Sequence, residues 1–228
     1  MRKDDLKMKA KLWFLLTTLA FLIAVTGSIG IAEVKAKTTG LITENSNDSL
    51  KEHYAQKFEV YTNKEVTGVG ENYIDTKVDT YNVRTVLYNT DYLKQFKNQD
   101  KVNIWGTLYE NQQSKVYRGT VVKYDPISKV TNLSYRMNLF VNGHQTKVNP
   151  DSLLEVKNKQ ISLKETDFRI RKYLLEKEHL YSNYNSGELI IEMKNGARHK
   201  IDLGDILSDS QEKTFDFDNI SHIDIYMK

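Results

Sequence analysis

The sequence predicts a β-rich α+β protein in two modules: a small closed β-barrel, then a helix laid across a mixed sheet in the β-grasp arrangement. Three observations predict it. From Glu59 to Lys123, short runs rich in Val, Tyr and Thr are separated by turn residues. Two Asn-Gly dipeptides, Asn142-Gly143 and Asn195-Gly196, each sit between alternating runs. One amphipathic stretch, LKETDFRIRKYLLEKEHLY, lies between those two hairpins.

In chain order, the N-terminus reads as a secretory signal. Lys7, Lys9 and Lys11 precede Leu12 to Val25, a run of 14 residues without a charge. That run is long for a signal core and short for a membrane span of about 20 residues. Val34-Lys35-Ala36 offers small residues for cleavage after Ala36, so residues 1–36 are expected to be removed. Met8 opens a tidier signal than Met1. Residues 37–48 are polar and patternless, a flexible mature N-terminus. Ser49 is the expected cap of a short helix, with Leu50, Tyr54 and Phe58 on one face.

Four strand runs then follow: FEVYTNKEVTGVG, DTYNVRTVLYN, KVNIWGTLY and KVYRGTVVKY, with a helical patch at Thr90 to Phe96. Residues 126–134 read as a connector. The barrel is therefore placed at 49–134 and the β-grasp domain at 135–228. Asn142-Gly143 and Asn195-Gly196 share one turn grammar, a two-residue type I′ hairpin with φ > 0 at both central positions. Ser162 and Glu165 form an S-x-x-E capping box at the start of the long helix. The last strand, SHIDIYMK, alternates Ile223, Ile225 and Met227 toward a core with polar residues facing out.

Composition narrows the function. The whole chain carries a formal charge of +3, but residues 37–228 hold 27 basic and 27 acidic groups, so a general nucleic-acid surface is not indicated. There is no cysteine, and roughly 190 mature residues must hold together by core burial alone. No cysteine nucleophile, G-x-S-x-G, phosphate loop or H-E-x-x-H is present, which argues against an enzyme.

ISLKETDFRIRKYLLEKEHLY, Ile161 to Tyr181, resembles the second signature of the bacterial superantigen family, roughly K-x2-[LIVF]-x4-[LIVF]-D-x3-R-x2-L-x5-[LIV]-Y. Ile161, Asp167, Arg171, Leu174, Leu180 and Tyr181 stand in register. Asn158 replaces the Lys, and Thr166 an apolar residue. The opening is most like the staphylococcal superantigen-like proteins. The family's other signature, Y-G-G-[LIV]-T, survives only as Tyr117-Arg118-Gly119-Thr120-Val121. The resemblance implies an N-terminal OB-type β-barrel followed by a C-terminal β-grasp domain. Asp167 and Arg171 are i, i+4 on the helix, the spacing of an ion pair worth a few tenths of a kcal/mol when exposed.

His222 and Asp224 share one face of the last strand, two metal-ligand types about 6.5–7 Å apart. His199, just after the second turn, is the best third candidate. The resemblance implies that such a set holds zinc shared with a class II major histocompatibility molecule. Bound this way, zinc would leave as the histidines protonate below about pH 6. The bland reading is a solvent-facing polar stripe on a half-buried strand. Two functions follow. One is a secreted, non-catalytic immune-evasion module that binds a host immune protein or glycan, with no required cofactor and no membrane span in the mature form. The other is a zinc-dependent superantigen that crosslinks class II molecules and T-cell receptors.

Overall fold

The structure is a computed structural model and describes residues 46–87, 89–111, 115–126, 136–148, 160–208 and 211–228. The expected signal segment 1–36, most of the expected flexible stretch 37–48, the connector after Pro126 and Asn158 lie outside the described residues.

The first helix, α1, is Asn47–Ala55. Its cap is Ser46 rather than Ser49: the Ser46 side chain accepts from the Ser49 amide at 3.2 Å. Leu50 and Tyr54 are buried as expected, but Phe58 belongs to the first strand. Five strands form a closed barrel in the order β1-β2-β3-β5-β4: β1 Phe58–Val69, β2 Tyr73–Val78, β3 Tyr81–Val86, β4 Lys101–Asn111 and β5 Lys115–Lys123. A short helix, α2 (Thr90–Leu93), is capped by Asn89. Ile74, Val83, Val102, Ile104 and Val121 fill the barrel. The sequence reading passes over β2. Its inward positions are Ile74, Thr76 and Val78, and the hydroxyl of Thr76 hides the apolar alternation while donating to the Val83 carbonyl at 3.3 Å. Gly119 is the surviving glycine of the degenerate signature. A β-carbon there would run into the Trp105 carbonyl, so the close approach of β4 and β5 requires it.

The second half is a five-stranded mixed sheet in the order β10-β9-β12-β6-β7. Its strands are β6 Arg136–Val141, β7 His144–Val148, β9 Gly187–Met193, β10 Arg198–Asp202 and β12 Ile220–Met227. A two-stranded ribbon joins β8 (Gln160–Ser162) to β11 (Thr214–Asp216). The long helix, α3, is Leu163–Lys177. Leu189, Ile191, Ile223, Ile225 and Met137 pack with Phe168, Ile170 and Leu174 of α3 in one core. This is a β-grasp domain behind an OB-type barrel. Half of the capping box forms: the Ser162 hydroxyl accepts the Glu165 amide at 2.9 Å, while the Glu165 carboxylate turns to Arg169 at 2.7 Å. Thr166, polar where the signature is apolar, is fully buried and donates to the Ser162 carbonyl at 2.9 Å.

The Asp167–Arg171 pair is not on the surface. Arg171 is 0% exposed and Asp167 2% exposed. The Arg171 Nε donates to Asp167 Oδ1 at 2.7 Å. Its Nη1 donates to the Tyr181 hydroxyl and the carbonyls of Leu203 and Asp205 at 2.8, 3.0 and 2.8 Å, and its Nη2 to the Asp202 carbonyl at 2.8 Å. Tyr54 of α1 donates to Asp167 Oδ2 at 2.8 Å, and its ring lies under the guanidinium. Burial alone would lower the Arg171 pKa; Asp167, Tyr54 and Tyr181 more than reverse this and raise it. Spacing revealed the pair but not its burial, because the loop carbonyls that surround it come from residues 31 to 34 positions further on.

Removing one partner of a buried ion pair leaves the other charge uncompensated. Arg171→Ala is expected to lower unfolding free energy by about 3–5 kcal/mol in a urea titration. Tyr54→Phe, which leaves Asp167 Oδ2 without its donor, should cost about 1–3 kcal/mol. Losses below about 1 kcal/mol for Arg171→Ala would show that the network is dispensable.

Candidate functional site

The sheet has a core face and an open face, and strand register assigns each residue. One open-face row runs Arg198, Glu192, His222 and Arg136. The next runs Lys200, Ile190, Asp224, Asn138 and Lys147, and the third Asp202, Glu188, Tyr226, Phe140 and Gln145. Phe140 and Tyr226 stack nearly parallel, with centroids 4.6 Å apart. Ile190 is the half-buried aliphatic centre of this face. Charged pairs rim it on the β10 side: Arg198 Nε to Glu192 Oε2 at 2.7 Å and Lys200 Nζ to Glu188 Oε1 at 2.8 Å. An aromatic stack and an isoleucine inside a charged rim can make a protein or glycan contact. Side-chain alternation marks this face in the sequence. The Phe140–Tyr226 stack was not legible there, since β6 and β12 pair in parallel across 86 positions of chain.

The open face also carries His222 and Asp224. The His222 Nε2 lies 3.6 Å from Asp224 Oδ2, and both side chains are partly exposed. Asp224 Oδ1 accepts from Asn138 Nδ2 at 2.8 Å, and the Ser221 hydroxyl lies 3.3 Å from His222 Nδ1. His199 does not join them. It pairs with Ile191, which pairs with Ile223, so it sits on the core face. Its ring stacks on Phe215 at 5.6 Å, and β9 separates its strand from β12. Burial, then the charge of Lys213, lowers its pKa. Among the described residues no group of three or more metal-ligand side chains is gathered. His199, His222 and Asp224 therefore do not fit one zinc ion.

The turn explains the misplacement. Asn142 and Gly143 both have positive φ, 50° and 79°, and Val141 pairs with His144 across a two-residue loop. At the second dipeptide only Gly196 has positive φ, at 82°. There the Met193 amide donates to the Ala197 carbonyl at 2.8 Å, leaving a three-residue loop of Lys194, Asn195 and Gly196. The extra residue shifts the register by one, and His199 moves to the opposite face.

A second polar cluster sits on the barrel. The Glu59 carboxylate accepts from the Tyr61 hydroxyl and from Tyr117 at 2.7 Å, and those hydroxyls lie 2.8 Å apart. The two tyrosine hydrogen bonds lower the Glu59 pKa, while burial, before all else, pushes Tyr117 up to about 12. Nothing in the spacing of these residues announces the cluster. It holds its charge by internal hydrogen bonds and carries no nucleophile poised for reaction.

Comparison with known proteins agrees with this architecture. The family described as staphylococcal/streptococcal toxin, beta-grasp domain, matches residues 135–227. The chain is 31% identical over 190 residues to exotoxin type G of Streptococcus pyogenes serotype M1, covering 74% of this chain and 80% of that one. It is 26% identical over 224 residues to staphylococcal superantigen-like 1 of Staphylococcus aureus strain Newman, covering 92% and 96%. A superantigen-like protein from Staphylococcus aureus, solved in complex with sialyl-Lewis X, shares the fold with a TM-score of 0.67 at 19% identity, over 80% of this chain and 98% of that one.

The register makes a test of the metal set. In a zinc titration at neutral pH, His199→Ala is expected to reproduce the parent isotherm. A tenfold or larger loss of affinity, about 1.4 kcal/mol, would show that His199 reaches the ion after all.

Proposed function

The chain belongs to the staphylococcal and streptococcal toxin family, and from that premise we propose that it is a secreted, non-catalytic protein that binds a host innate-immune molecule, a protein or a glycan. The observation that carries this reading is the open sheet face. Ile190 and the Phe140–Tyr226 stack give it an apolar centre, and two charge pairs, Arg198–Glu192 and Lys200–Glu188, stand at its β10 rim. An aromatic centre inside a polar rim is the anatomy of a protein-binding surface. The buried polar groups Asp167, Arg171, Tyr54 and Tyr181 hold the architecture together, and none faces solvent. No helix of the described residues is long and apolar enough to cross a membrane. A relative held with sialyl-Lewis X supports a sialylated glycan as one class of target.

The second reading is a superantigen that shares zinc with a class II molecule through His199, His222 and Asp224. The placement of His199 on the core face argues against it. His222 and Asp224 remain on the open face, where they serve the first reading as polar contacts.

The test pairs two assays. Immobilised protein is used to capture targets from human serum, leukocyte lysate and a sialylated glycan array, and the best target is titrated against Phe140→Ala/Tyr226→Ala. Loss of two hot-spot aromatics should weaken binding by about 30-fold or more. Unchanged affinity would move the contact to another surface. Proliferation of mixed blood cells at picomolar to nanomolar protein would overturn the first reading in favour of the second.

A further inference from the structure

Glu212 has no part in the open face, yet it is the most unusual carboxylate among the described residues. It lies just before β11, where three elements meet. Its Oε1 accepts from the Thr120 hydroxyl of β5 at 3.0 Å, a contact across 92 positions that ties the barrel to the β-grasp domain. The next residue, Lys213, accepts the Leu163 amide at 2.8 Å at the start of α3. Glu212 Oε2 is buried and has no hydrogen-bond partner among the described residues. A buried acceptor without a donor costs free energy when charged, and far less when its oxygen carries a proton.

We propose that Glu212 is a proton-operated latch between the two domains: neutral, it lets β5 close on the start of α3; ionised, it loosens that junction.

The surrounding groups agree. From α3 it faces Lys164, whose charge and backbone favour the ionised form; from the end of β8 it faces the Ser162 hydroxyl; from β5 it faces Thr120; from α2 it faces Tyr92, whose pKa is raised chiefly by burial and then by the Glu212 charge. Tyr92 is itself tied to the barrel by a 2.6 Å hydrogen bond to the Val121 carbonyl. Burial outweighs Lys164 and the hydrogen bonds and holds the Glu212 carboxyl up at about 7, against 4.5 for a free side chain. The closed form then binds the extra proton between those two values. Its advantage is complete below the free value and is lost as pH rises through about 7. The junction is thus tightest in acid and loosest in neutral to alkaline surroundings.

Amide exchange at the β5–α3 junction in the purified protein, compared with that in Glu212→Gln, tests the latch. Raising pH from 5.5 to 8 should increase the parent's opening equilibrium by about 30-fold after correction for intrinsic exchange, as the two pKa values require. Glu212→Gln keeps the shape without the charge, and its junction should stay closed across the range. Thr120→Val removes the donor to Oε1 and should move the parent's transition to higher pH. A parent junction insensitive to pH would overturn the latch. So would a Glu212→Gln junction that opens as the parent does, or a transition that Thr120→Val leaves in place.

Discussion

The fold depends on one buried cation. Arg171 donates to five acceptors: a carboxylate, a tyrosine hydroxyl and three backbone carbonyls, with the two Nη1 hydrogens shared among three of them. Those carbonyls belong to residues 202–205, the chain that leaves β10. Without the guanidinium, the Leu203 carbonyl would keep only the Tyr181 hydroxyl and the Asp202 carbonyl only a long bond from the Asp205 amide. Asp167 fixes the guanidinium from one side and takes the hydroxyl of Tyr54, so α1 is locked to α3 through the same charge pair. Tyr54, Phe58 and Trp105 then gather around Phe168, with ring centroids 5.1–5.9 Å apart. One ionic hub therefore orders the loop after the sheet, the first helix and the aromatic wedge between barrel and helix.

A buried pair of this kind is a poor source of net stability, but its geometry can pin one helix register. Moving α3 by one residue would break every bond of Arg171 at once, whereas a purely apolar helix face could slide and repack. The signature Asp-x3-Arg…Leu-Tyr is thus a record of how the helix is seated. Leu174 and Leu180 are fully buried beside it, and Tyr181 donates to the Leu203 carbonyl at 2.7 Å while accepting from Arg171.

What the sequence disclosed follows from where each signal resides. Alternation in β12 placed Ile223, Ile225 and Met227 in the core, where they are 0%, 0% and 3% exposed. That pattern is local, and local patterns survive folding. The β8–β11 ribbon is three residues long on each side and leaves no period to detect. The two Asn-Gly turns look alike in sequence but differ in φ at the first position: Asn142 is left-handed and Asn195 is not. Asn195 instead offers its side-chain oxygen to the Ala197 amide at 3.0 Å, which stabilises the longer loop. A single backbone angle decided on which face His199 lies, and no pattern in the sequence reports that angle. The burial of Arg171 and of Glu212 was hidden for a related reason: both depend on partners brought from distant parts of the chain.

The division between buried and open polar groups also explains how the open face can change without disturbing the architecture. The strongest interactions lie beneath the surface, in the Arg171 hub and at the close β4–β5 approach that needs Gly119. The open rows of β6, β9, β10 and β12 contribute no side chain to that hub; Asp202 joins it only through its backbone carbonyl. Exchanging Phe140, Ile190, Tyr226 or the rim charges changes what the face can bind while leaving the hub and the core rows in place. Surface substitutions away from caps and buried networks alter stability by about half a kcal/mol or less, small beside the several kcal/mol tied up in the hub. The signature that identifies such a chain therefore lies in its buried part. The open rows can differ from relative to relative without losing the fold.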